Sequence, residues 1–249
     1  MSTNDHDLAA SLAARAGEVL LAVREKTGFT DPSALRAAGD HSSQEFLAAE
    51  LAEHRPHDAV LSEEAADDAR RLTAPRVWII DPLDGTREFS EEGRDDWAVH
   101  VALWQEGKLA AGAIAMPARG TVLSTAAPVQ LPPAVDGPPR IAVSRTRPPA
   151  FVARLAEAWG AQTIPMGSAG VKIAAVLLGL VDAYVHGGGQ YEWDSAAPAA
   201  VALAAGAHAS RLDGSPLVYN GPDPRLPDLV VCRPELAEEL LAHLASVTD

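Results

Sequence analysis

Val77-Trp78-Ile79-Ile80-Asp81-Pro82-Leu83-Asp84-Gly85-Thr86 is the stretch from which the rest of the chain can be read. The apolar run Val77 to Ile80 predicts a strand that ends in Asp81. Pro82 fixes φ and Gly85 permits a tight turn, so the chain reverses there. Two carboxylates, Asp81 and Asp84, then project from one turn. Oxygen donors so arranged suit a hard cation such as Mg²⁺. If the next element is helical, the N–H groups of Gly85 and Thr86 at its start make a phosphate cradle. Taken alone, the string also fits an ordinary strand-to-turn junction, because Asp and Gly abound in turns.

Upstream, Leu8, Leu12, Ala16, Val19 and Val23 fall at three- and four-residue steps and mark one helix face. Thr27 to Asp40, with two glycines and a proline, reads as a loop. Ser42 and Glu45 form a capping-box pattern that opens a second helix through Leu51. Ala59 to Leu61 is a short strand, followed by the acidic run Ser62-Glu63-Glu64, a pattern that alone reads as solvated surface. Downstream, Trp97 to Leu103 and Leu109 to Met116 flank Gln105-Glu106-Gly107-Lys108 and predict a hairpin.

Ala127 to Arg140 holds five prolines and a glycine and reads as an exposed connection between two lobes, about 1–130 and about 140–249. Beyond it, strands at Ile141–Ser144, Ala183–His186 and Leu229–Cys232 alternate with helices at Pro149–Trp159, Ser168–Leu178, Ser195–Ala205 and Pro234–Ala245. That is an α/β pattern. Gly167-Ser168-Ala169-Gly170 opens one of these helices and either binds an anion or caps it. Glu192-Trp193-Asp194-Ser195 places Asp194 just ahead of an alanine-rich helix, where an N-cap is the plain reading.

The chain has 249 residues, 47% of them hydrophobic, enough for a sizeable core. Its net charge of −14 repels nucleic acid and anionic lipid on average. A small anionic substrate meets the same field, so a local attractor such as a divalent cation is needed; solubility alone also explains the charge. One cysteine, Cys232, excludes an internal disulfide and a cysteine-based zinc cluster, which fits a reducing cytoplasm. The start MSTNDHDLAA has no basic or apolar signal region. Ile173 to Tyr184, the longest low-charge stretch, is too short to span a bilayer. The eight histidines form no H-x-x-H or H-E-x-x-H pattern, so surface or core roles are expected of them.

Together these elements resemble the inositol-monophosphatase superfamily. The residues that carry the resemblance are W-I-I-D-P-L-D-G-T at 78–86, preceded by Glu63-Glu64, and W-D-S-A-A-P at 193–198 with Gly206 closing the helix. Thr86-Arg87-Glu88-Phe89, where inositol monophosphatases usually read Thr-Thr-Asn-Phe, resembles the bacterial CysQ-type nucleotide bisphosphate phosphatases. Val143-Ser144-Arg145 and Met166-Gly167-Ser168 through Lys172 resemble them too.

The resemblance implies an αβαβα sandwich of the inositol-monophosphatase and fructose-bisphosphatase type. It implies two or three Mg²⁺ ions, replaceable by Mn²⁺ and sensitive to lithium. Glu63, Asp81, Asp84, Asp194 and the carbonyl of Leu83 are then the metal ligands. Thr86 orients the attacking water with an aspartate 23 positions before the metal glutamate, which lands on Asp40. The family often reads T-x-x-D there, whereas this chain reads Ala37-Ala38-Gly39-Asp40. Gly85, Thr86, Arg145, Ser168, Lys172 and Glu192 are the expected substrate contacts, and Tyr191 or Trp193 could flank a base. The implied reaction removes the 3′-phosphate of 3′-phosphoadenosine 5′-phosphate, with inositol 1-phosphate and fructose 1,6-bisphosphate as alternative substrates. Neither nucleic acid nor membrane is an expected partner, and a homodimer is compatible with the resemblance. The D-x-D-x-T motif of haloacid-dehalogenase phosphatases is absent, because the two carboxylates stand three apart. A binding protein with a structural cation is the non-enzymatic alternative, and such a relative would be expected to lose Thr86 or a ligand.

Overall fold

The computed structural model describes residues 4–247, so the first three residues of the amino-terminal stretch lie outside it. Helix α1 (Asp5–Thr27) is capped by Asn4, whose side chain accepts from the Asp7 N–H. Helix α2 (Pro32–His54) starts eight residues before Asp40, which corrects the loop expected over Thr27–Asp40. Its start signals are Asp31, which accepts from the N–H groups of Ser33 and Ala34, and Pro32 in the first turn. Ser42 and Glu45 therefore lie inside the helix and cap nothing. Leu35, Gly39, Ser43, Leu47 and Leu51 form its buried stripe at steps of four.

The first sheet holds β1 (Ala59–Ser62), β2 (Arg76–Asp84), β3 (Ala98–Gln105), β4 (Lys108–Met116) and β5 (Thr121–Ser124) in that spatial order. A single turn, α3 (Thr86–Phe89), joins β2 to β3. β1 pairs parallel with β2 and the remaining pairs are antiparallel. Strand alternation decides what β2 touches. Val77 and Ile79 enter one core, while Trp78 and Ile80 enter another with α1 and α2. All four are fully buried, which explains an unbroken apolar run in an antiparallel sheet.

Residues 126–139 carry no regular structure, as their prolines suggest. The chain then runs through β6 (Arg140–Ser144), α4 (Ala150–Trp159), β7 (Gln162–Met166), α5 (Ala169–Leu177), β8 (Ala183–His186), β9 (Gln190–Tyr191), α6 (Glu192–Ala204), β10 (His208–Ser210), β11 (Arg225–Leu226), β12 (Leu229–Cys232) and α7 (Ala237–Val247). The second sheet has the order β10-β12-β8-β6-β7, and β9 pairs with β11 separately. Helices α5 and α6 form a middle layer, and their core joins Val77 and Ile79 of the first sheet to Tyr184 and Val231 of the second. Helices α4 and α7 cover the far face of the second sheet through Val152, Leu155, Leu240 and Leu244. The layers are therefore α1/α2, sheet, α5/α6, sheet, α4/α7, an αβαβα sandwich. No helix of the described residues is long and apolar enough to cross a membrane.

Candidate functional site

The motif turn is pinned from three sides. β2 does not stop at Asp81 but runs to Asp84, with a bulge against β3 between the two acids. The Leu83 N–H donates to Asp81 Oδ1 at 3.0 Å, and the Thr86 hydroxyl donates to the Leu83 carbonyl at 3.1 Å. Ser43 on α2 donates to the Pro82 carbonyl at 2.7 Å. Gly85 adopts φ 86°, a conformation costly for any residue with a Cβ. Gly39 is required for a different reason. A Cβ there would lie 2.6 Å from Phe89 Cε1 and 2.9 Å from Leu83 Cδ2, so α2 approaches the turn only because the side chain is absent.

Four carboxylates converge on this turn. Asp81 is fully buried, Asp84 is buried, Asp194 is half-buried, and Glu63 reaches in from an exposed position at the mouth. Burial, then the charges of Glu63, Asp84 and Asp194, push the Asp81 carboxyl well above the usual carboxylate range. Burial and the charges of Asp194, Asp84 and Glu64 push Glu63 up to about 8, against an opposing contact with Asp81. Burial and Asp84 push Asp194 up to about 7. Asp81 Oδ2 is buried without a hydrogen-bond partner. Crowded, mutually repelling oxygens with an orphaned acceptor are what a hard divalent cation would satisfy, and the four acids offer only oxygen, with the His100 ring nitrogen also within reach of Asp81 and Asp84. The residues present therefore fit Mg²⁺.

Asp194 does not precede α6 as an N-cap. The helix begins at Glu192, and the Asp194 side chain reaches back to accept from the Tyr191 N–H at 2.6 Å. Asp84 Oδ2 accepts from Ser168 Oγ at 2.5 Å and from the Gly170 N–H at 2.8 Å, which joins β2 to the start of α5. Asp40 lies half-buried on α2, and burial with the charge of Glu64 pushes it up to about 6 against the pull of Arg36. No hydrogen bond joins it to Thr86, whose hydroxyl is taken by Leu83.

A cavity of about 410 Å³ opens above this floor. Asp84, Gly85, Thr86, Arg145, Ser168, Lys172 and Asp194 line it, so seven of the residues singled out in the sequence share one cleft. Lys172 is buried, with Nζ donating to the carbonyls of Gly167 and Ser168 at 3.3 and 2.6 Å. Arg145 pairs with Glu88 and Glu91 at 2.7 and 2.8 Å. Glu192 is not on the lining. Both its oxygens are taken by the N–H groups of Asn220 and Gly221, at 2.6 and 2.8 Å. Tyr191 and Trp193 stack on each other, 4.7 Å between centroids, and are likewise absent from the lining.

His100 and Asp96 escape the sequence reading. His100 stands opposite Asp81 in the β2–β3 ladder, fully buried, with Nδ1 3.1 Å from the Trp193 carbonyl and Nε2 3.3 Å from Asp84 Oδ2. Asp96 accepts from the Gly167 N–H at 2.6 Å and pairs with Arg94. The placement of His100 opposite Asp81 comes from the β2–β3 pairing across α3, which no local signal marks. Nothing local marks Asp96. A larger cavity, about 700 Å³, is lined by His6, His54, Arg55, His57, Asp58 and Arg76 among others. Its two arginines are paired with Asp5 and Asp58, and it contains none of the converging acids.

The sequence model of the inositol monophosphatase family matches residues 4–249. A 3′-phosphoadenosine 5′-phosphate phosphatase of Mycobacterium tuberculosis is 56% identical, the match covering 92% of this chain and 89% of that protein. Its namesake in Mycobacterium leprae is 54% identical over 98% of this chain and 94% of that protein. Among solved structures, CysQ of Bacteroides thetaiotaomicron, described as a bacterial member of the inositol monophosphatase family, superposes with a TM-score of 0.77. It is 27% identical and covers 91% of this chain and 96% of that one. A chain matched by the family model over residues 4–249, and identical to such relatives at more than half of the aligned positions, belongs to the inositol monophosphatase family.

Proposed function

We propose that the chain is a cytoplasmic, Mg²⁺-dependent phosphomonoesterase. It removes the 3′-phosphate of 3′-phosphoadenosine 5′-phosphate to give AMP, with the related 5′-phosphosulfate as a second substrate, in sulfur assimilation. The observation that carries the reading is the convergence of Glu63, Asp81, Asp84 and Asp194 on one turn beside a cleft lined by Asp84, Asp194, Arg145 and Lys172. The 3′-phosphoadenosine 5′-phosphate phosphatases of the two mycobacteria support the substrate.

In this reading the four carboxylates and the Leu83 carbonyl hold the metal. When bound, Mg²⁺ acidifies water and neutralises charge on the phosphoryl group and the leaving oxygen. The chain supplies position. Leu83 fixes the Thr86 hydroxyl at the edge of the cleft, and Asp40, pushed up to about 6, can accept a proton near neutral pH. We assign these two residues to the attacking water. Ser168 and Gly170 hold Asp84 in one orientation. Lys172 spends two of its three N–H donors on carbonyls, which keeps its charge inside the cleft wall.

Phosphate release from 3′-phosphoadenosine 5′-phosphate, inositol 1-phosphate and fructose 1,6-bisphosphate, with Mg²⁺ and after exhaustive chelation, tests the proposal. The expected result is metal-dependent release with the nucleotide preferred. Preference for inositol 1-phosphate overturns the substrate, and full activity without metal overturns the mechanism.

A further inference from the structure

The four converging acids do not stand on equally firm ground. Asp81 and Asp84 lie on β2, and Asp194 lies in the first turn of α6. Glu63 belongs to residues 63–68, which form no helix or strand and, apart from half-buried Asp68, are exposed. After burial, the charge of Asp194 is the largest influence opposing ionisation of Glu63. In the metal-free protein an unrestrained Glu63 would therefore swing out into water, where that repulsion is screened.

The segment is restrained at both ends. Upstream, the Ser62 hydroxyl donates to Gln44 Oε1 at 2.7 Å. Downstream it runs into a short 3₁₀ turn, Ala69–Thr73, which carries Arg71, only 1% exposed. The Arg71 guanidinium donates to both oxygens of Asp67, at 2.6 and 2.9 Å, within the segment itself. Its remaining nitrogen, Nη1, crosses 149 residues of chain to Asn220 Oδ1 at 2.8 Å and also reaches the Gly221 carbonyl at 2.9 Å. Asn220 Nδ2 donates in return to the Arg71 carbonyl at 3.2 Å. A guanidinium buried this deeply is destabilising unless paired, and each of its nitrogens has an acceptor.

The tripeptide Tyr219-Asn220-Gly221 also grips the start of α6. The two N–H groups that hold the Glu192 carboxylate belong to it, and the Tyr219 hydroxyl lies 3.1 Å from Ser195 Oγ. Glu192 and Ser195 flank Asp194 on that helix. Asn220 holds φ 61° while its N–H serves Glu192 and its side chain serves Arg71, a conformation uncommon outside glycine.

Resting on the functional reading above, we propose that Arg71 and Asn220 are positioning residues: they tie the Glu63 segment to the first turn of α6 and hold Glu63 beside Asp194 before Mg²⁺ arrives. None of the bonds in this latch goes to a metal-facing acid. It acts by offsetting in advance a repulsion that Mg²⁺ binding would otherwise have to overcome.

Asn220→Gly is the discriminating variant. Glycine keeps the left-handed backbone and the N–H that holds Glu192, and removes only the side-chain bonds to Arg71. Titration calorimetry should show Mg²⁺ affinity about tenfold weaker, with Asp67→Asn acting in the same direction. In a Glu63→Gln background, Asn220→Gly should change that affinity by less than about twofold. Trypsin should cut the metal-free Asn220→Gly protein at Arg70 about tenfold faster than wild type, and Mg²⁺ should slow the cut. Unchanged Mg²⁺ affinity in Asn220→Gly, or an equal loss with and without the Glu63 carboxylate, overturns the latch. So does cleavage at the wild-type rate. A latch that behaves as expected in a protein releasing no phosphate from the nucleotide bisphosphate overturns the functional reading alone.

Discussion

Ser168 Oγ donates to Asp84 Oδ2 at 2.5 Å, a bond that spans 84 residues of chain. The same oxygen accepts from the Val171 N–H at 3.0 Å and so caps α5. Ser168 holds φ 47° to do both, a backbone conformation uncommon outside glycine. One hydroxyl thus orients a metal-facing acid and starts a helix.

Ser168→Ala should therefore act twice. Losing the orienting bond is expected to weaken Mg²⁺ binding by about 10–100-fold. Losing the cap should cost about 1 kcal/mol of stability. Mg²⁺ titration calorimetry and thermal unfolding measure the two separately. Unchanged Mg²⁺ affinity would show that Gly170 alone suffices to place Asp84.

Asp84→Asn should lower kcat/KM by at least ~10³, roughly 4 kcal/mol of transition-state stabilisation, because it removes a charge shared with metal. The fold should persist, since one of four mutually repelling carboxylates is gone. A variant that keeps more than about a tenth of wild-type activity would refute the assignment.

The raised carboxyls set the pH dependence. Without metal, Asp194 and Glu63, at about 7 and about 8, and Asp81 above its usual range, hold protons that the unfolded chain has lost. The native state then binds more protons than the unfolded one, so stability must fall as pH rises through 7 to 8.5. Buried His100 and His186, held below their usual range, act in the opposite direction, but only below about pH 6.5. Metal-free protein should lose roughly 2–4 °C in Tm across that window. Mg²⁺ should remove the loss and release protons on binding. A chelated sample whose Tm climbs from pH 7 to 8.5 would contradict the burial of these acids.

Gly39→Ala should destabilise by about 1–3 kcal/mol, because its Cβ would overlap Phe89 and Leu83. It should also lower kcat by shifting Asp40 against the motif turn. Urea unfolding and steady-state kinetics test both, and a neutral substitution would mean that α2 shifts freely.

The motif at 77–86 was legible because its chemistry is local: strand, turn and two acids within ten residues. The start of α2 was not. Gly39 looks like a helix breaker until Phe89 is seen against it, and Pro32 reads as a loop residue unless Asp31 is recognised as the cap. Five strands escaped: β5, β7 and β10 are short edge strands, β7 carrying Pro165, and β9 and β11 are two-residue strands paired only with each other. Glu192 was misplaced because its partners, Asn220 and Gly221, lie 28 and 29 residues away. His100 finds its carbonyl partner 93 residues away. Such contacts leave no periodic trace.

The middle layer imposes an order on the protein's birth. The inner face of the first sheet, with Val77 and Ile79, is covered by helices that are made only after residue 169. A nascent chain that has completed β5 therefore carries an uncovered apolar sheet face until α6 emerges, on the order of ten seconds at ordinary elongation rates. That exposure is the cost of placing the shared layer late in the sequence. A truncation after residue 130 should aggregate rather than fold.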